Sequence, residues 1–158
     1  VYRAVQAWSH QPTVSIFLTG HTGVGKTHLA IAAATALAEA GVGPRFWGVR
    51  LLLEWLRQGV KDGDYQDRLS QARDCTALVL DDYGAERATE FGEDVVEGIL
   101  FYRYDREKPF LVTTNMTKRD LSPRLSSRLS DGTRVKVLEC VGRDWRQGAL
   151  QVAQMERG

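Results

Sequence analysis

Apolar positions along this chain follow two alternating rhythms. Short, nearly unbroken apolar runs at Val14–Thr19, Arg45–Val49, Ala77–Leu80 and Phe110–Thr113 read as buried strands. Between them lie stretches of helical spacing or composition. Thr27–Ala34 is rich in strong helix formers, and that helix is expected over 26–40, ending near Gly41. Leu51–Gln58 reads as a helix with Gly59 as its stop, and Asp62–Asp74 is polar and partly helical. Thr89 opens a helix to about Arg106; Val95, Val96, Ile99 and Leu100 recur on one face and Pro109 lies just beyond its end. Asp120–Leu129 is expected to be helical with Pro123 in its first turn, and Thr133–Val141 to be a last strand. Tyr2–Trp8 is helix-like. Strand alternating with helix implies an α/β three-layer sandwich around a parallel sheet of five strands, here within one domain. Ligands in such sheets sit beyond the carboxyl ends of the strands.

The sequence places its clearest chemistry at such an end. Gly20-His21-Thr22-Gly23-Val24-Gly25-Lys26-Thr27 fits G-x-x-x-x-G-K-[ST], the P-loop, between the first strand and the first long helix. A polyphosphate packs several negative charges together, so holding it requires many donors in a small concave turn. Gly20, Gly23 and Gly25 let the backbone bend so that successive N–H groups point inward. Lys26 would place an ammonium on the β- and γ-phosphates, and the Thr27 hydroxyl would ligate Mg²⁺. The helix N-terminus adds its own anion affinity, which extends the candidate phosphate contacts through His28.

Two further strand ends carry matching chemistry. Leu78-Val79-Leu80-Asp81-Asp82 is an apolar strand ending in two carboxylates. Asp81 is the candidate for Mg²⁺ near Thr27; Asp82, next along, would point elsewhere and act as the general base on an attacking water. Asn115, after Leu111-Val112-Thr113-Thr114, could hydrogen-bond both the γ-phosphate and that water. Arg124 and Arg128 are four apart and share one helix face if their segment is helical. Such a fork-shaped cation can stabilise a transferring phosphoryl group, including one bound by a neighbouring subunit.

Composition changes this picture little. Hydrophobic content of 43% and charged content of 26% are those of a soluble globular chain, and no apolar run approaches the length of a membrane span. Formal net charge is +1, but residues 116–158 hold nine Lys/Arg against five Asp/Glu. That basic third could face phosphate or acidic partners. Cys75 and Cys140 border apolar runs and read as small core residues in a reducing, cytoplasmic setting; His10, His21 and His28 lack structural-zinc spacing.

Together these elements resemble the AAA+ ATPases, and more narrowly the DnaC/DnaI-type replicative helicase loaders and the IstB-type transposition ATPases. The residues carrying the resemblance are Gly20–Thr27, Leu80-Asp81-Asp82-Tyr83-Gly84, Arg103 with Pro109 ahead of Thr113-Thr114-Asn115, and Ser127-Arg128-Leu129. The resemblance implies an AAA+ core without a full lid domain, ATP or ADP with Mg²⁺ as ligands, and ATP hydrolysis. It implies that Arg128 is an arginine finger acting on the next subunit's ATP, with Arg124 in the same contact, so that the protein forms homo-oligomers. It implies a further arginine acting in cis on the phosphates, Arg146, with Arg143 as the alternative. Implied partners are a replicative helicase, gripped through a separate N-terminal domain, and single-stranded DNA. The chain starts at Val1 rather than Met, and the expectation is a fragment lacking that domain. DNA would lie near Leu51–Arg73, where Arg57, Lys61 and Arg68 could contact phosphates and Trp55 or Tyr65 could stack on bases; Leu52, Trp55 and Leu56 at helical spacing read instead as core. A transposase in place of the helicase, or a nucleotide-gated adaptor with little turnover, are the alternatives.

Overall fold

The structure, a computed structural model, describes residues 1–84, 90–142 and 144. Along the chain run α1 (Tyr2–His10), β1 (Ser15–Thr19), α2 (Lys26–Glu39), β2 (Arg45–Gly48), α3 (Val49–Asp62), α4 (Tyr65–Asp74), β3 (Leu78–Tyr83), α5 (Glu90–Asp105), β4 (Phe110–Thr114), a 3₁₀ turn (Lys118–Asp120), α6 (Pro123–Leu129) and β5 (Val135–Glu139). The five strands form one sheet in the order β2-β3-β4-β1-β5, and every pairing is parallel. The expected three-layer α/β architecture is therefore present.

The layers follow from the twofold alternation of strand side chains. Phe17, Leu78, Leu80, Phe110 and Val112 face one way and pack with Leu52, Leu56, Ile99, Leu100 and Leu125 from α3, α5 and α6. Ile16, Leu18, Val79 and Leu111 face the other way, onto Ala30, Ala33 and Leu37 of α2 and onto Val5 and Trp8 of α1. Burial on both faces is why these strands read as continuous apolar runs rather than alternating ones. Trp8 is pinned by its indole N–H, which donates to the Val14 carbonyl at 2.6 Å.

Three expected boundaries move. Gly59 does not stop α3; the helix runs on to Asp62 and ends at Gly63, whose φ of +81° is the left-handed conformation glycine favours. Gly59 serves a different need. A Cβ there would lie 2.8 Å from Arg68 Cδ and 3.1 Å from Tyr65 Cα, so the bare backbone lets α4 fold back against α3. The helix expected over 120–129 starts later, because the Ser122 hydroxyl caps it by accepting from the Leu125 N–H at 3.1 Å, with Pro123 in the first turn. The last strand begins only at Val135, because the Thr133 N–H and hydroxyl both bond Asp131 and close a turn. The helix start expected at Thr89 lies outside the described residues.

Candidate functional site

The sheet order decides which strand ends meet. β4 lies between β1 and β3, so the residues leaving β4 stand between the loop after β1 and the acids on β3. A cavity of about 740 Å³ opens there, within the roughly 300–1,000 Å³ usual for small-ligand sites. Its walls are Thr22, Gly23, Gly25, Lys26, Thr27, His28, Asp81, Asp82, Thr113 and Asn115. The loop is bent at its glycines: φ is +138° at Gly20, +84° at Gly23 and +93° at Gly25, the residue that caps α2. At Gly20 the backbone passes so close to the Cys140 carbonyl that a Cβ would collide with it, and at Gly23 a Cβ would collide with the Asp144 carboxylate. Val24 turns away and packs against the α1–α2 side of the core.

Lys26 is buried at the floor of this loop. Its ammonium donates to the carbonyls of Gly20 and His21, both at 2.8 Å, and to Asn115 Oδ1 at 2.7 Å. Asn115 then uses its other amide atom, Nδ2 donating to Asp82 Oδ1 at 3.3 Å. One side chain thus joins the lysine of the loop to the second acid of β3. On the first acid, the Thr27 hydroxyl donates to Asp81 Oδ2 at 3.1 Å. Hydroxyl and carboxylate oxygens brought together beside a helix N-terminus are the hard donors that Mg²⁺ takes, so the residues present fit that ion.

Asp81 and Asp82 both line the cavity, whereas neighbours on a regular strand point to opposite faces. The reason is a β-bulge. Leu80 pairs with Val112 and Tyr83 with Thr114, so two residues of β3 oppose Thr113 alone. Asp82 adopts φ of +64°, which is costly for a residue other than glycine. The extra residue also returns Tyr83 to the face of Leu78 and Leu80, where its ring meets Phe17 edge-on at 5.9 Å. Thr113 enters the sequence reading only as strand and as the first residue of the Thr113-Thr114-Asn115 run, with no role at the site, yet it is the residue opposite the bulge. Its hydroxyl donates to Asp81 Oδ1 at 2.6 Å and accepts from the Asp82 N–H at 2.9 Å.

Neither Arg124 nor Arg128 lines this cavity. Both lie on α6, so the shared helical turn is present; Arg124 is exposed. The Arg128 guanidinium lies over the Phe101 ring at 4.0 Å and near Tyr104 at 5.6 Å, with Asp105 Oδ1 at 3.9 Å. Arg103, quoted above only for its place in the motif, is fully buried and donates to backbone carbonyls, among them Arg73 O at 2.8 Å, Cys75 O at 2.9 Å and Pro109 O at 2.7 Å.

With this geometry in place, comparison with known proteins is informative. The family model described as IstB-like ATP binding protein matches residues 6–127, well over half of the chain. The chain belongs to this family. Among the relatives of this IstB-like domain, the replicative helicase loader DnaI of Bacillus subtilis is 30% identical over 107 residues, which cover 67% of this chain and 34% of the relative. The putative ATP-binding protein Rv3427c in insertion sequence, from Mycobacterium tuberculosis, is 32% identical over 101 residues, covering 64% and 40% respectively. The chain thus spans between a third and two fifths of these relatives' lengths. The crystal structure of the DnaC helicase loader superposes with a TM-score of 0.70 at 28% identity, covering 88% of this chain and 87% of that one. The fold is the expected AAA+-type P-loop core.

The remaining sequence-predicted residues of the IstB-like domain divide clearly. Trp55 stacks on Trp47 with ring centres 4.9 Å apart, and Leu52 and Leu56 are buried, which accords with the core reading of that helix. Tyr65 packs against the same core. Arg68 donates to the Trp55 carbonyl and pairs with Asp62 and Asp64, so its charge is already matched within the chain. Arg57 and Lys61 are exposed. Cys75 and Cys140 are free thiols, and burial pushes both above the usual thiol range. Arg143 and Arg146 lie outside the described residues. Among the described residues no helix is long and apolar enough to cross a membrane.

Proposed function

We propose that this IstB-like domain is an ATP-hydrolysing switch that loads a replicative helicase onto single-stranded DNA in the cytoplasm. The observation that supports the ATPase part of this reading is the continuous link of Lys26, Asn115 and Asp82 across one cavity, beside the Thr27–Asp81 pair, and the helicase part is supported by the likeness to the loaders DnaI and DnaC. Binding a triphosphate would draw the Lys26 ammonium from neutral carbonyls to charged phosphate oxygens, a stronger class of hydrogen bond. N–H groups of residues 20–28 would hold the rest of the chain of phosphates. Thr27 and Asp81 would hold Mg²⁺, which when bound neutralises charge on the phosphates. Asp82 would orient the attacking water and accept its proton. Asn115, in contact with both Lys26 and Asp82, would couple arrival of the γ-phosphate to placement of that base. Arg128 would act on the nucleotide of the next copy, with Arg124 beside it, so turnover would depend on assembly.

Mixing inactive variants tests the shared site. Lys26→Ala and Arg128→Ala should each lose most activity, Arg128→Ala by about 10³-fold, and an equimolar mixture should regain part of it because one variant supplies the arginine and the other the intact pocket. Full activity of each variant alone would end the trans-site reading. A second reading, with a transposase in place of the helicase, draws support from the relative described as an ATP-binding protein in an insertion sequence. ATP-dependent capture of purified helicase against purified transposase separates the two partners. Single-turnover hydrolysis separates both from a nucleotide-gated adaptor.

A further inference from the structure

We propose that Thr113 is a positioning residue for hydrolysis, its single hydroxyl setting the first acid of β3 for metal and the second for water. The inference rests on the ATPase reading and adds a residue to it.

The argument begins with what the bulge requires. Placing two adjacent carboxylates in one cavity needs an extra residue in β3, and that residue breaks the ladder to β4. The Asp82 N–H thereby loses a regular backbone acceptor, and Asp82 is held at φ of +64°. A hydroxyl on the opposing strand answers both needs, because it is an acceptor and a donor at once. Thr113 does so from a side chain that is 1% exposed. Its oxygen accepts from Asp82 N–H at 2.9 Å, which anchors the strained residue, and its proton goes to Asp81 Oδ1 at 2.6 Å, which leaves Asp81 Oδ2 turned toward Thr27. The next residue repeats the device one step on. The Thr114 hydroxyl donates to the Tyr83 carbonyl at 2.7 Å and accepts from the Met116 N–H at 3.0 Å, closing the strand ends beyond the bulge. Valine has the shape of threonine without the hydroxyl, and serine has the hydroxyl without the methyl. The two substitutions therefore separate hydrogen bonding from packing.

The test compares wild type, Thr113→Val and Thr113→Ser in three measurements: hydrogen exchange of the Asp82 amide in the nucleotide-free protein, ATP affinity with and without Mg²⁺, and steady-state hydrolysis. In Thr113→Val the Asp82 amide should exchange at least about tenfold faster as its acceptor is lost. ATP affinity without Mg²⁺ should stay within about threefold of wild type, the Mg²⁺ concentration at half-effect should rise, and kcat should fall by about 10²-fold. Thr113→Ser should restore all three. Should the valine chain not fold, Thr113→Ala against Thr113→Ser carries the same contrast. Unchanged exchange and kcat in Thr113→Val would overturn the proposal, as would a serine variant as impaired as valine, since packing would then be the cause. Asp82→Asn in the same assay isolates the underlying reading. If it turns over like wild type, the base assignment fails, and amide exchange together with the Mg²⁺ midpoint still decides the role of Thr113.

Discussion

Arg103 and Arg128 stand on neighbouring helices and carry the same guanidinium, but the protein surrounds them in opposite ways. Arg103 is fully buried, and its two terminal nitrogens end on carbonyls of the last turn of α4, of the α4–β3 connection and of Pro109, with the Cys75 sulfur at 3.3 Å. Burial works against its charge and lowers its pKa, yet so many acceptors converge on it that it ties α5 to the starts of β3 and β4. Arg128 is held by faces rather than by acceptors. Aromatic rings of α5 support its plane, its ion pair to Asp105 is long, and its side chain is 31% exposed. An arginine whose donors terminate inside the chain is structural; one supported from behind can still present its fork outward.

The largest effect that could break this comparison is on stability. Arg103→Ala strips several buried carbonyls of their donor and should cost about 3–5 kcal/mol in urea unfolding. Arg103→Lys should recover only part, because one ammonium cannot span the carbonyls that the fork reaches. A loss under about 1 kcal/mol would remove Arg103 from the structural class. Next in size, Phe101→Leu takes away the face beneath Arg128 and should destabilise by about 1 kcal/mol while lowering the activity regained in the mixing experiment severalfold. Equal regain with and without the ring would mean that stacking does not orient the arginine.

The smallest effect concerns Asp131, which braces the Tyr104 ring. Hydrogen bonds from the Thr133 hydroxyl, the Tyr104 hydroxyl and the Thr133 N–H hold its carboxyl at about 2, below the ordinary 3.8. A carboxyl with a depressed folded-state pKa stabilises the fold fully above its unfolded value and loses that contribution as pH falls through its folded one. The stability difference between wild type and Asp131→Asn should therefore be flat from neutral pH to about pH 5 and shrink between about pH 4 and pH 2. A difference constant down to pH 2 would disconnect Asp131 from the ring.

Much of this site could be read from residue order alone, because its chemistry is local. The loop over 20–27 and the apolar strands before Asp81 and Asn115 each announce themselves in a few consecutive residues. What escaped was every feature that depends on a partner strand or helix. Asp82 was expected to point away from Asp81; the bulge that brings both into one cavity exists only relative to β4. Thr113 belongs to a legible Thr-Thr-Asn run, but the two contacts of its hydroxyl emerge only once Asp81 and Asp82 stand opposite it. Gly59 resembled a helix stop because its real constraint, the approach of α4, lies six to nine residues further on in the fold. Arg68 is a candidate phosphate contact by its charge alone, and only the fold shows that Asp62 and Asp64 face it.

The pairing of two β3 residues against one has a consequence for length as well as chemistry. Tyr83 reaches Phe17 only because the odd residue restores its parity with Leu78 and Leu80. Deleting one of the two aspartates, unlike exchanging it for asparagine, would remove the bulge itself: the ring would keep its layer opposite Thr114 while the cavity lost one of its two carboxylate positions, so residue count here sets the chemistry of the site rather than the layering of the core.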